Sequence, residues 1–214
     1  MKYSVCLLAA GKGSRTKLEY NKMFYPLKEG KTVLDVSLQP FLMDTDCKQI
    51  IIVCAEHEIN HVEKLYKEIE KIEVAIGGST RQESVYNGLS KVVSPYVFIH
   101  DGARPYLKEE QIYDLKKTLE KEDACLLMVP SVDTVKIVEE GYVKETLIRA
   151  NVYNAQTPQC FKTDLIKKCH EMAKVENRIG TDDAQLVEWY GNSKVKVVIG
   201  DASNTKITLP TDLK

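Results

Sequence analysis

Leu7-Leu-Ala-Ala-Gly-Lys-Gly-Ser-Arg15, entered from Val5 and continued through Asn21 and Lys22 to Pro26, is the stretch on which the reading of this chain turns. The apolar run from Val5 to Ala10 has the length of a buried strand and drives straight into Gly11-Lys-Gly13. A strand ending in a glycine turn leaves backbone N–H groups with no side chain in front of them, which makes an anion cradle. Lys12, Arg15 and Lys22 add cations where a triphosphate could lie. The spacing excludes two other motifs. A dinucleotide fingerprint needs a third glycine where Thr16 stands, and no Gly-x-x-x-x-Gly-Lys-Ser/Thr loop is present. A plain tight turn and a phosphate loop both stay open on local grounds, and the cations favour a nucleotide site.

Outward from this strand, short apolar runs alternate with helical periodicity. Segments 50–54, 74–76, 96–99 and 125–129 read as strands. Segments 33–42, 62–72, 80–92, 109–122 and 163–175 read as helices, with Pro40 expected to kink or shorten the first. Thr80 and Glu83 have the spacing of a capping box. Such alternation predicts one α/β domain over 1–214, a mostly parallel, twisted, doubly wound sheet flanked by helices. Ligands in such sheets bind at the carboxyl ends of the strands, so the loops at 11–15, 77–81, 101–105 and 133–136 are expected on one rim. Segments 136–139 and 142–146, joined through Glu140 and Gly141, read as a hairpin. A lone hairpin is marginal in water, so it should pack on its own sheet or on a second subunit. Thr181 reads as a helix N-cap with Asp182 and Asp183 in the first turn, and 195–199 and 206–209 as closing strands.

Composition is that of a soluble globular protein, with 43% apolar residues, 29% charged residues and a net charge of −1. A near-neutral balance argues against nucleic acid as a partner. No apolar run approaches the roughly 20 residues of a membrane span, and no secretory core opens the chain. Six scattered cysteines without a Cys-x-x-Cys pair fit a reduced, cytoplasmic setting. The four histidines lack metal-ligand spacing. Asp101 could serve a cation or a ribose hydroxyl; Arg104 could bind a phosphate or pair with Asp101. Many cations, few bases and one or two carboxylates suit phosphoryl or nucleotidyl transfer, where positioning and charge carry catalysis.

Seven stretches in order then form a set: Ala9-Ala-Gly-Lys-Gly-Ser-Arg15, Gly77-Gly-Ser-Thr-Arg-Gln-Glu-Ser-Val85, His100-Asp-Gly-Ala-Arg-Pro105, Val129-Pro-Ser-Val-Asp-Thr-Val-Lys136, Gln156-Thr-Pro-Gln159, Gly180-Thr-Asp-Asp183 and Asn204-Thr-Lys-Ile-Thr208. Together they closely resemble the 2-C-methyl-D-erythritol 4-phosphate cytidylyltransferase family over nearly the whole chain. The resemblance implies a Rossmann-like nucleotidyltransferase fold with a protruding β-hairpin arm, about residues 134–150, that forms a homodimer. It implies CTP and a sugar-alcohol phosphate as substrates, with Mg²⁺ or another divalent cation at Asp101. Arg15, Lys22, Arg149 and Lys206 would be catalytic. Ala9, Ala10, Gly11 and Gly13 would wrap the triphosphate. Gly78, Ser79 and Ser84 would hold the nucleoside, with Asp101 and Gly102 near ribose and metal. Arg104, Thr134 and Thr181 would join Arg149 and Lys206 at the sugar phosphate. A ribitol-5-phosphate cytidylyltransferase and a catalytically silent CTP-binding regulator are the competing readings. Departures from the family pattern are Asn21-Lys-Met-Phe24 for the usual Pro-Lys-Gln-Tyr, and Asp101-Gly102 for Asp-Ala. The family also tends to continue as a helix beyond Leu213, where this sequence reaches Lys214.

Overall fold

The computed structural model describes residues 1–11 and 20–213, the Lys28 side chain excepted. In chain order its strands are β1 (Tyr3–Leu8), β2 (Cys47–Cys54), β3 (Ile72–Ile76), β4 (Tyr96–Asp101), β5 (Ala124–Pro130), β6 (Lys136–Glu139), β7 (Tyr142–Thr146), β8 (Tyr153–Lys162) and β9 (Val195–Ile199). Its α-helices are α1 (Val33–Met43), α2 (Ile59–Tyr66), α3 (Arg81–Ser90), α4 (Glu109–Leu119), α5 (Thr163–Val175) and α6 (Asp183–Tyr190). Among the described residues the main sheet has seven strands in the order β3-β2-β1-β4-β8-β5-β9. The β1–β2, β1–β4, β2–β3 and β5–β9 pairs are parallel.

Strand β1 alternates its side chains between the two faces, as the period of two requires. Tyr3, Val5 and Leu7 join the core beneath α1, α2 and α4, where Leu34, Leu38, Phe41 and Leu115 are fully buried. Cys6 belongs to the opposite core, with Val85 of α3, Ile166 of α5 and Leu186 of α6. A sheet covered on both faces explains why β1, β2 and β4 are near-continuous apolar runs. Each fully buried Leu, Ile or Phe stabilises by about 1.5–3 kcal/mol relative to exposure.

Several local expectations are corrected. Strand β8, in a segment to which the sequence reading assigns no element, lies antiparallel between β4 and β5 and makes the sheet mixed. Segment 206–209 is not a strand; it runs as coil, fastened by the Ile207 N–H to the Ala103 carbonyl at 2.8 Å. Pro40 does not shorten α1, which continues to Met43. Helix α2 stops at Tyr66, and Ile72 opens β3 instead. The N-cap of α6 is Asp182, not Thr181: its extended backbone lets the carboxylate accept from the Gln185 N–H at 2.9 Å.

The hairpin forms as expected. Glu140 and Gly141 have φ of 53° and 86°, the two left-handed positions of a type I′ turn. Every residue of β6 and β7 is exposed.

Helix α3 lies close on the sheet because Gly88 has no side chain. A Cβ there would press on Cys6 Sγ and come within 2.8 Å of Val53 Cγ2, both in strands. Gly88→Ala is therefore expected to destabilise the fold by about 1–3 kcal/mol through overpacking, read as a lower urea midpoint at unchanged slope.

Candidate active site

The ends of β1, β3 and β4 meet the 3-10 turn Lys22–Phe24 and the 206–208 coil around a cavity of about 530 Å³. Of the residues expected at a site, Ala9, Ala10, Gly11, Lys22, Gly78, Ser79, Ser84, Asp101 and Lys206 line it. Arg15 and Gly13 lie outside the described residues. Gly102, Arg104, Thr134, Arg149 and Thr181 do not line it. Gly102 is buried just beneath, Thr134 and Arg149 sit by the base of the hairpin, and the Thr181 hydroxyl turns to Gln185. Arg149 is exposed and donates to the Val132 carbonyl. A cleft of similar volume between α1 and α4 carries Glu109, Glu110 and Asp114; such a lining repels polyphosphate.

Asp101 anchors the charge of the cavity. Lys206 Nζ donates to its Oδ2 at 2.7 Å and Arg81 Nε to its Oδ1 at 3.3 Å. Burial works to raise this carboxyl, but the Arg81 and Lys206 charges outweigh it and hold it well below the usual carboxylate range. Arg104, weighed as the ion-pair partner, instead donates to the Asn204 carbonyl at 2.7 Å. Lys22 Nζ donates to the Ile207 carbonyl at 2.6 Å, which brings it beside Lys206.

Arg81 is the residue that sequence reasoning passed over, because Thr80 and Glu83 around it read as capping. Its Nη1 donates to Asp183 Oδ2 at 2.8 Å, and His170 Nε2 stands 3.2 Å from Oδ1 of the same carboxylate. His170 and Asp183 side chains are each 1% exposed. Burial raises the Asp183 carboxyl and Arg81 more than offsets it, so the group stays ionised. The Gly-Gly stretch before α3 is shaped by the same economy of donors. The Thr80 hydroxyl accepts from the Glu83 N–H, and the Glu83 carboxylate takes the N–H and hydroxyl of Ser79. A Cβ on Gly78 would collide with the Glu83 side chain. Ser84 Oγ accepts from the Gly78 N–H at 2.9 Å.

Behind Asp101, the hydrogen bonds fix a neutral imidazole. The Asp101 N–H donates to Thr157 Oγ1 at 3.0 Å, and that hydroxyl stands 3.1 Å from His100 Nδ1. A carbonyl can only accept, so His100 Nε2 carries a proton and donates it to the Arg104 carbonyl at 3.1 Å, which leaves Nδ1 of the neutral ring to accept from the Thr157 hydroxyl. Burial lowers His100 from 6.5 to about 4. A buried, neutral His100 is scaffolding for Asp101 rather than a base facing the cavity.

An open α/β sheet that gathers the Ala9–Gly11 main chain, Lys22, Lys206 and, among the described residues, one cavity carboxylate at its strand ends defines an enzyme of the nucleotidyltransferase class. The family model described as 2-C-methyl-D-erythritol 4-phosphate cytidylyltransferase matches residues 3–214. A curated relative from Halalkalibacterium halodurans is 43% identical, covering 100% of this chain and 94% of its own. One from Clostridioides difficile is 40% identical over 99% and 90% respectively. Both carry that name. The crystal structure of 4-diphosphocytidyl-2C-methyl-D-erythritol synthase from Anaerococcus prevotii superposes with a TM-score of 0.87 at 33% identity, covering 99% of this chain and 94% of that one. The bifunctional IspDF of Campylobacter jejuni gives 0.84 at 26% identity over 100% of this chain and 53% of that longer one. The chain belongs to the 2-C-methyl-D-erythritol 4-phosphate cytidylyltransferase family.

The His100 environment generates a pH prediction. A base whose folded pKa is depressed leaves the unfolded chain binding more protons between the two values. Stability should therefore fall as pH drops from 6.5 towards about 4, by up to about 1.4 kcal/mol per pH unit. Asp101 and Asp183, held low, act in the same direction only below about pH 4. Urea melts of the parent and His100→Gln across pH 4–7 should show that slope lost in the variant.

Proposed function

We propose that this enzyme joins CTP to 2-C-methyl-D-erythritol 4-phosphate, forming CDP-methylerythritol and pyrophosphate. The observation that carries the reading is the meeting of Lys22, Lys206 and Asp101 in one cavity beside the Ala9–Ala10–Gly11 main chain. A phosphate monoester, with its second pKa near 6, is largely dianionic at neutral pH. It attacks the α-phosphorus without a general base. What must be overcome is repulsion between two anions, and cations placed where charge develops do that.

In this reading Lys22, with Arg15 as the resemblance assigns it, neutralises the α-phosphate, and Lys206 guides the incoming phosphate. The 9–11 main chain cradles the triphosphate. Gly78, Ser79 and Ser84 offer the opposite wall to the nucleoside, because a strand-end loop without bulky side chains admits a flat base. Arg81 holds Asp101 in one orientation throughout.

A divalent cation fits the donor set only as an ion shared with substrate. Among the described residues no group of three His, Cys, Asp or Glu side chains could hold one, and Asp101 is the one carboxylate lining the cavity. Mg²⁺ commonly takes one carboxylate and completes its shell with phosphate oxygens and water. Asp101 would hold it, and the bound ion would supply further positive charge to the phosphates.

The arm is assigned to homodimerisation. Val138, Tyr142, Val143 and Ile148 are 60–80% exposed, an apolar surface that a second copy would cover. Arg149 and Thr134 beside the arm would then reach the neighbour's sugar-phosphate side, with Arg104 and Thr181 from the host chain. A cytoplasmic setting is supported by six buried free cysteines, and no helix among the described residues is long and apolar enough to cross a membrane.

Pyrophosphate release from CTP should be fast with methylerythritol phosphate and slow with ribitol 5-phosphate; the reverse preference would overturn the substrate assignment. CTP binding without turnover on either would instead identify a silent regulator. Lys22→Ala should lower kcat about 10²–10³-fold with a smaller change in CTP affinity. For the arm, Val143→Asp should shift the gel-filtration peak from dimer to monomer and reduce activity with it.

A further inference from the structure

Asn21, Met23 and Gly102 meet in space around the turn that carries Lys22. Asn21 uses its whole side-chain amide. Its Oδ1 accepts from the Met23 N–H at 3.1 Å. Its Nδ2 donates to the Ala9 carbonyl at 2.8 Å and to Glu58 Oε2 at 3.0 Å. Glu58 is itself buried and also accepts from the Ala55 N–H. The turn bearing Lys22 is thereby tied to the end of β1 and to the segment that starts α2. Asn21 has φ of −64° and ψ of 124°, the φ that a proline ring imposes covalently. Asparagine reaches the same entry angle through hydrogen bonds.

On the other side of Lys22, Met23 is 2% exposed and rests on Gly102. A Cβ on Gly102 would lie 2.6 Å from Met23 Cε and 2.9 Å from the Leu8 carbonyl. The Gly102 backbone has no room to retreat. Its N–H donates to the Leu8 carbonyl at 3.0 Å, and its carbonyl accepts from the Ser37 hydroxyl. Met23 thus abuts the residue next to Asp101, and Gly102 is what admits it.

We propose that Asn21, Met23 and Gly102 are positioning residues that clamp the Lys22 turn between the end of β1 and the Asp101 loop, and so set the lysine's approach to the α-phosphate. The proposal rests on the role given to Lys22 above. A lysine has a long flexible stem, so the placement of its ammonium depends on how firmly its backbone is held. A misplacement near 1 Å can cost about 10²-fold in rate.

Steady-state kinetics with CTP and methylerythritol phosphate, paired with thermal melts, test this. Lys22→Ala comes first: an unchanged kcat would remove the reading beneath the proposal. With that loss in hand, Asn21→Ala should lower kcat about 10- to 100-fold while the KM for CTP moves little. Asn21→Pro should recover most of that loss, since the ring restores the entry angle. Gly102→Ala should lower kcat, and adding Met23→Gln, whose polar end can turn to the wet cavity, should recover part of it. The proposal is overturned if Asn21→Ala keeps the parental kcat, if proline is as poor as alanine, or if the Gly102→Ala and Met23→Gln effects simply add. Should Asn21→Ala lose its near-UV circular dichroism, the Gly102–Met23 cycle alone decides.

Discussion

The carboxylate of Asp101 stands at the end of a strand whose preceding residues, Val97 to His100, are fully buried. An ionised group at such a place is tolerated only when cations are brought to it. Here one comes from the first turn of α3 and one from the coil near the chain's end, 20 residues before and 105 after it in sequence. Arg81 is shared with Asp183, which rests on His170 in turn. Removing one of these cations would leave charge on a buried carboxylate uncompensated, which destabilises the fold. The cavity therefore inherits its charge pattern from a network that also holds α3, α5, α6 and the sheet together.

Strand β8 carries the other half of that support. Gln156, Thr157 and Gln159 are 5%, 4% and 1% exposed, and each is buried because its polar atoms are used. Gln159 Oε1 accepts from the N–H groups of Asp183 and Ala184, which begin α6. Gln156 Nε2 donates to the Asp201 carbonyl. Thr157 joins the Asp101 backbone to His100. A polar strand running against its neighbours is thus the frame on which the strand-end loops hang. Buried polar groups that are fully satisfied specify one arrangement; partly satisfied they would weaken it.

The cations that face the cavity are held by neutral partners as well as by charges. Lys22 donates to a main-chain carbonyl, and the turn that carries it is fastened by an amide rather than by an ion pair. Such anchoring fixes the backbone of the turn through hydrogen bonds. It also shows how Asn21 and Met23, with Gly102 from far along the sequence, come together where the chain folds back on itself.

Much of this was legible before any coordinates. Short continuous apolar runs, helical faces with a period of 3.6, and the Glu140-Gly141 turn are local signals, and the strand–helix alternation, the loops at 77–81 and 101–105 beside the cavity and the hairpin followed from them. The ordered motifs pointed to the family, and most of the cavity's lining was named with it. The tertiary structure alone decided β8, the coil at 206–209, the cap at Asp182 and the pairing of Asp101 with Arg81 rather than Arg104. Those outcomes depend on which donor finds which acceptor across distant segments. A sequence window records whether a residue is polar, but its partner is chosen only when the chain brings the candidates into reach.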